Sequence, residues 1–183
     1  MDHALINTIQ KKFSKPLVFV GMMGCGKSYI AARCAEILKC PLYDSDVLIE
    51  QDYGDAISEI FAREGEAAFR RLEAEKIDAL LQKGCCVISA GGGAFAQEAV
   101  RASIQKLAIS IWLDTDIEIL LQRLEEDESR PLLQGGHMRE KLQNLMEDRR
   151  ALYAQADLKI VNNGRPEDAL EEVFKALAVH LEL

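Results

Sequence analysis

At 183 residues, with 28% charged positions and a formal net charge of −8, the chain is long enough to bury a large core as one domain without disulfide or metal staples. The acidic balance leaves no general footprint for nucleic acid or acidic membranes, so any anion site has to be local. Five cysteines, an odd number with two adjacent at Cys85 and Cys86, match neither a disulfide framework nor a zinc pattern and point to a reducing cytoplasm.

No apolar run approaches the roughly 18 residues a bilayer span needs, and no internal repeat is visible. Residues 1–15 put Leu5, Ile6, Ile9 and Phe13 on one helical face and are expected to form a short amphipathic N-terminal extension packing on a single domain, 16–183. The apolar run Leu17 to Val20 then leads into Gly21-Met-Met-Gly-Cys-Gly-Lys-Ser28, which fits the phosphate-loop pattern G-x-x-x-x-G-K-[ST]. Glycines let main-chain N–H groups reach phosphate oxygens, Lys27 would reach the β- and γ-phosphates, and Ser28 would ligate Mg²⁺. A helix from Ser28 to about Leu38 would aim its positive end at the same phosphates. Cys25 admits two readings: a thiolate favoured by Lys27 and the helix N-terminus, or a small residue filling the loop.

Pro41 ends that helix, and a short strand carries Asp44 and Asp46 at its end. Residues two apart on a strand share a face, so both carboxylates would look into one site at the carboxyl edge of a sheet; one of them can also cap the helix from Val47 to about Tyr53. Residues 56–82 read as a helical block divided by Gly65, with Arg70, Arg71, Glu73 and Glu75 close together in its second half. A solvated, ion-paired face is expected for Arg71.

The strand Cys86 to Ala90 ends in Gly91, Gly92 and Gly93, expected to present bare amides. A helix from about Ala96 to Gln105 and the strand Ile109 to Asp114 follow, with Thr115 as N-cap of a helix over 116–126. Residues 127–136, rich in breakers and holding Arg130 before Pro131, form a candidate lid. A helix over 138–155 carries Arg149, Arg150 and Tyr153, the last strand runs from Leu158 to Val161, Asn162-Asn-Gly makes a turn, and Pro166 opens a terminal helix. Alternating strands and helices predict an α/β fold, a three-layer α/β/α arrangement around a five-stranded parallel sheet. Strand order stays open at this point.

These residues together resemble the shikimate kinase family, P-loop kinases of the nucleoside-monophosphate-kinase type. The loop 21–28, Asp44-Ser-Asp46, Phe69-Arg70, Gly91 to Gly93, Arg130-Pro-Leu-Leu133 and Arg149-x-x-x-Tyr153 occur in the family's order at similar spacings, across roughly residues 16–175. The resemblance implies ATP- and Mg²⁺-dependent phosphorylation of the 3-hydroxyl of shikimate, a step of aromatic amino-acid biosynthesis, by a cytoplasmic monomer. It implies that Asp46 contacts the attacking hydroxyl, that Asp44 and Ser28 support Mg²⁺, and that Arg70, Arg149 and the backbone of Gly91, Gly92 and Gly93 hold the substrate. It further implies that Lys27 and Arg130 face the transferring phosphate, with a lid at about 127–137, and that the nucleotide rests on Gly24, Cys25, Gly26, Lys27, Ser28 and Tyr29. Arg123 and Arg165 would flank the adenine, and residues 46–82 would form the substrate-binding helical region.

Phosphoryl transfer through a loose transition state needs positioning and positive charge more than covalent chemistry, and a carboxylate substrate favours arginine over lysine. A locally positive pocket is the expectation. Asp114, at the end of an apolar strand, competes with Asp44 as the metal support; the resemblance favours Asp44. A gluconate-type kinase would need fewer arginines, and a regulatory module without catalysis would be expected to lack Lys27, Asp46 or Arg130, all of which are present.

Overall fold

The computed structural model describes residues 3–124 and 137–183. Its elements are α1 (His3–Lys12), β1 (Leu17–Val20), α2 (Lys27–Leu38), β2 (Leu42–Asp44), α3 (Ser45–Tyr53), α4 (Ile57–Glu64), α5 (Glu66–Leu81), β3 (Val87–Ser89), a single 3₁₀ turn (Ala94–Ala96), α6 (Glu98–Leu107), β4 (Ile109–Asp114), α7 (Ile117–Leu124), α8 (Met138–Tyr153), β5 (Leu158–Val161) and α9 (Pro166–His180). Arg130 and all but the last residue of the expected lid lie outside the described residues.

The five strands are parallel and stand in the order β2-β3-β1-β4-β5. Leu17 in β1 is level with Val87 in β3 and Ile109 in β4. All four residues of β1 are buried, as expected of a central strand covered on both faces, and their apolar run is what such a strand requires. Because β3 and β4, consecutive in the sheet's chain order, lie on opposite sides of β1, the carboxyl end of β1 is a topological switch point, where such sheets open a crevice for ligands.

Helix α2 packs against α9 and the sheet, and α5 packs against α6 on the way to β4. Helix α1 lies against α2 and α9. Its Ile9 is fully buried in the main core, which contributes about 2 kcal/mol by apolar burial. Gln10 Nε2 donates to the Ile37 carbonyl (2.7 Å), closing the last turn of α2. Helices α3, α4 and α5 have a small core of their own, Ile49, Ile60 and Phe69 with Ile57, Phe61 and Leu72 against it. Gly65, at φ 81°, separates α4 from α5.

Two local expectations change. Strand β2 stops at Asp44, so Asp46 stands in the first turn of α3 and strand alternation is not what brings the two carboxylates together. Thr115 does not cap α7: its buried hydroxyl donates to the Asn162 carbonyl (3.3 Å), and the helix begins two residues later, at Ile117.

Candidate active site

The loop after β1 turns through Gly21 (φ 139°) and enters α2 through Gly26 (φ 91°), backbone conformations that residues with a Cβ rarely adopt. At Gly21 space forbids one as well, since a Cβ would fall 2.6 Å from the Leu113 carbonyl oxygen. The N-terminus of α2 therefore opens onto the cleft, where unpaired N–H groups and the helix dipole favour an anion. Lys27 is buried, and its ammonium donates to the Gly21 (3.0 Å) and Met22 (2.8 Å) carbonyls. Cys25 is fully buried, with its sulfur 3.7 Å from Lys27 Nζ, and fills the space beneath the loop.

Asp44 is the hinge between the loop and α3. Its Oδ1 accepts from the Asp46 (3.1 Å) and Val47 (3.4 Å) amides as the N-cap of α3. Its Oδ2 accepts from the Ser28 hydroxyl at 2.8 Å, and Ser28 Oγ lies 3.2 Å from Ser89 Oγ. A carboxylate and two hydroxyls beside a phosphate loop are hard oxygen donors suited to Mg²⁺, which keeps waters and takes its other ligands from phosphates. Among the described residues no group of three or more His, Cys, Asp or Glu side chains is placed to hold a metal. Asp114 is otherwise engaged: its Oδ2 pairs with Lys159 (2.9 Å) and Arg150 (3.5 Å), both of which lie over the Trp112 ring.

The cleft continues past the loop to α3, α4 and α5. It encloses about 540 Å³ and is lined by Gly24, Gly26, Lys27, Ser28 and Tyr29 at one end and by Phe61, Phe69, Arg70, Gly93 and Arg149 at the other, with Asp44 and Asp46 also in its wall. Arg70 pairs with Glu73 (2.7 Å) and Glu66 (3.1 Å) and sits over the Phe69 ring. Burial works against the Arg70 charge, but Glu73 and Glu66 outweigh it and hold the guanidinium more firmly protonated than usual. Glu73, only 1% exposed, also accepts from Gln97 Nε2 (2.8 Å); burial holds its carboxyl above the usual carboxylate range against the pull of Arg70. Arg149 donates to the Gly92 carbonyl (3.1 Å), which also accepts from Tyr153 Oη.

At Gly91 the expectation of a bare amide changes. The Gly91 amide is not bare, since it donates to the buried Ser45 hydroxyl (2.9 Å). A Cβ on Gly91 would fall 2.5 Å from Asp46 Oδ1 and closer still to Glu73 Oε1; one on Gly93 would meet the Arg70 guanidinium. A side chain at either position would displace charged groups from α3 and α5 that cross the strand end. Among the described residues of the lining, Lys27, Arg70, Arg123 and Arg149 stand with Asp44, Asp46, Glu50 and Glu73, so their charges balance by sign.

Arg123 stands at the mouth, Nη1 3.5 Å from the Gly24 carbonyl. Arg165 does not line the cleft; it is exposed and paired with Asp168 (2.8 Å). Sequence reasoning missed Ser45, Ser89, Gln97 and Asn162. Glu73 was visible, three residues after Arg70 and thus on its helical face, yet it read as part of a solvated charge run.

Comparison with known proteins points to one family. A family model described as shikimate kinase matches residues 23–180. The chain is 41% identical over 165 residues to a shikimate kinase of Rhizobium meliloti (strain 1021), covering 90% of this chain and 86% of that one. Among solved structures, it is similar to the shikimate kinase of Acinetobacter baumannii in complex with shikimate (TM-score 0.86, 34% identity, 92% of this chain and 93% of that one). It is likewise similar to the shikimate kinase of Aquifex aeolicus (TM-score 0.80, 32% identity, 90% and 97%).

Proposed function

The chain belongs to the shikimate kinase family, and from that premise we infer that it transfers the γ-phosphoryl group of ATP to the 3-hydroxyl of shikimate, forming shikimate 3-phosphate for aromatic amino-acid biosynthesis. The observation that carries this reading is a single cleft with a phosphate loop at one end and two arginines beside a crowded glycine turn at the other. Asp44 and Asp46 join the halves: Asp44 touches Ser28, and Asp46 shares the space over Gly91 with Glu73.

In this reading the amides at the start of α2 and Lys27 hold the triphosphate. Arg70 and Arg149 take the ring carboxylate and hydroxyls, their planar forks already oriented by Glu73, Glu66 and the Gly92 carbonyl. Phe61 and Phe69 give the ring an apolar wall. Asp46 orients the attacking hydroxyl and accepts its proton late in the transfer, which demands alignment rather than strong basicity. Ser28 and Asp44 would hold Mg²⁺, which when bound neutralises charge on the phosphate oxygens. Arg130, outside the described residues, would add positive charge at the transferring phosphate, and Arg123 would border the adenine. Residues 46–82 act as the substrate-binding region in this reading, and the lid assigned to 127–137 falls, but for its last residue, outside the described residues. No helix among the described residues is long and apolar enough to cross a membrane; a cytoplasmic monomer is the form we propose.

A coupled ADP-release assay over shikimate, gluconate and other polyhydroxy acids tests the assignment. Shikimate is expected to be turned over with the highest kcat/KM, and faster turnover of another acid would replace it.

A further inference from the structure

We propose that Asn162 is a positioning residue for the nucleotide: by holding the Cys25 carbonyl from behind the loop, it aims the Gly26 N–H into the phosphate site. The proposal rests on the reading of residues 21–28 as a phosphate loop.

Asn162 follows the last residue of β5 and is 2% exposed. Its own backbone is fixed on both sides, the N–H donating to the Asp114 carbonyl (2.8 Å) and the carbonyl accepting from the Thr115 hydroxyl (3.3 Å). From this anchored position Nδ2 donates to the Cys25 carbonyl at 2.8 Å. The carbonyl acceptor settles which end of the amide is nitrogen, because the reverse orientation would set two oxygens face to face. Asn162 does not line the cleft, so it acts through the loop.

A trans peptide is planar, with its C=O and N–H on opposite edges. Holding the Cys25 oxygen toward Asn162 therefore turns the Gly26 N–H the other way. Gly26 is the N-cap of α2 and part of the cleft wall, so that N–H is directed where phosphate oxygens would lie. The opposite peptide orientation would point a carbonyl oxygen at an anion. The contact is tight as well as directional, since a Cβ on Gly26 would come within 2.9 Å of Asn162 Nδ2.

A second observation separates this role from packing. Asn162 Oδ1 is buried and has no hydrogen-bond partner among the described residues, a deficit that typically costs 1–3 kcal/mol. A leucine of similar size would remove that deficit but leave the Cys25 carbonyl without its donor. An amide retained with one half unsatisfied points to the work of the other half, the donor to Cys25.

The test compares Asn162→Asp, which keeps the shape and removes the donor, with Asn162→Ser, which shortens it. We expect KM for ATP, and the Kd for ATP from calorimetry without acceptor, to rise about tenfold, near 1.4 kcal/mol, while kcat and KM for shikimate change less than twofold. Lower thermal stability with unchanged ATP affinity would reduce Asn162 to a packing residue and overturn the proposal. Loss of ATP affinity in the variants of an enzyme that fails to phosphorylate shikimate would overturn the substrate assignment and leave this proposal standing. If neither variant folds, NMR of the wild-type protein decides: side-chain amide protons of Asn162 that exchange slowly and shift with ATP support the role, and rapid exchange with no shift rejects it.

Discussion

The Arg70 guanidinium occupies the space that a side chain at Gly93 would need: a Cβ built there falls 2.5 Å from Arg70 Cζ. The helix α5 and the turn after β3 are thus matched atom to atom at the acceptor end of the cleft. Gly93→Ala is expected to push Arg70 off Glu73 and raise KM for shikimate at least tenfold, about 1.4 kcal/mol or more, with ATP affinity unchanged. Steady-state kinetics with each substrate varied in turn will check this, and an unchanged KM for shikimate would show that Arg70 is not needed where it stands.

Asp44 and Asp114 compete for the metal. Asparagine is as good an N-cap as aspartate, so Asp44→Asn should preserve the start of α3 while removing the charge beside Ser28. The Mg²⁺ concentration for half-maximal rate is expected to rise about tenfold, a typical size for one lost charge at such a site. In Asp114→Asn, where the carboxylate is already paired with Lys159 and Arg150, it should stay within twofold. The reverse pattern in Mg²⁺ titrations would make Asp114 the metal support.

Tyr153 couples the fold to alkaline pH. Burial pushes its phenol up from 10 to about 12, because ionising it would place a charge in the core and abolish its hydrogen bond to Gly92. The folded state therefore holds a proton that the unfolded chain releases, and stability present below pH 10 is lost as pH rises toward 12. The size is on the order of 2 kcal/mol. Tyr153→Phe should be less stable at neutral pH yet show a flatter decline over that window in urea titrations; parallel curves for the two proteins would refute the coupling.

The cysteines differ in access. Cys85 is exposed, whereas Cys25, Cys34 and Cys86 are buried; burial raises the Cys34 thiol far above its usual range and Cys86 to about 11. Limited iodoacetamide should label Cys85 first and leave activity intact, as judged by peptide mass spectrometry and assay of the same sample. Inactivation that ATP prevents, with label on Cys25, would restore the view of Cys25 as a reactive thiol.

What the sequence determined by itself is what is contiguous in it. Gly21 to Ser28 after an apolar strand could be read as a phosphate loop because each residue's task concerns its immediate neighbours' backbone, and alternating periods implied a parallel sheet. The roles of Arg70 and Arg149 came through resemblance, since their charges look like any helix surface until something faces them. Tertiary structure decided the strand order, and with it that β1 sits at the switch point. It decided that Gly91 and Gly93 make room for side chains and that the Gly91 amide is taken by Ser45, that Asp44 faces Ser28 while Asp114 is spent on cations, and that Asn162, 137 residues after Cys25, holds the loop from behind. These are contacts between residues far apart along the chain, and no local preference encodes which distant group will fill a given space or accept a given hydrogen bond.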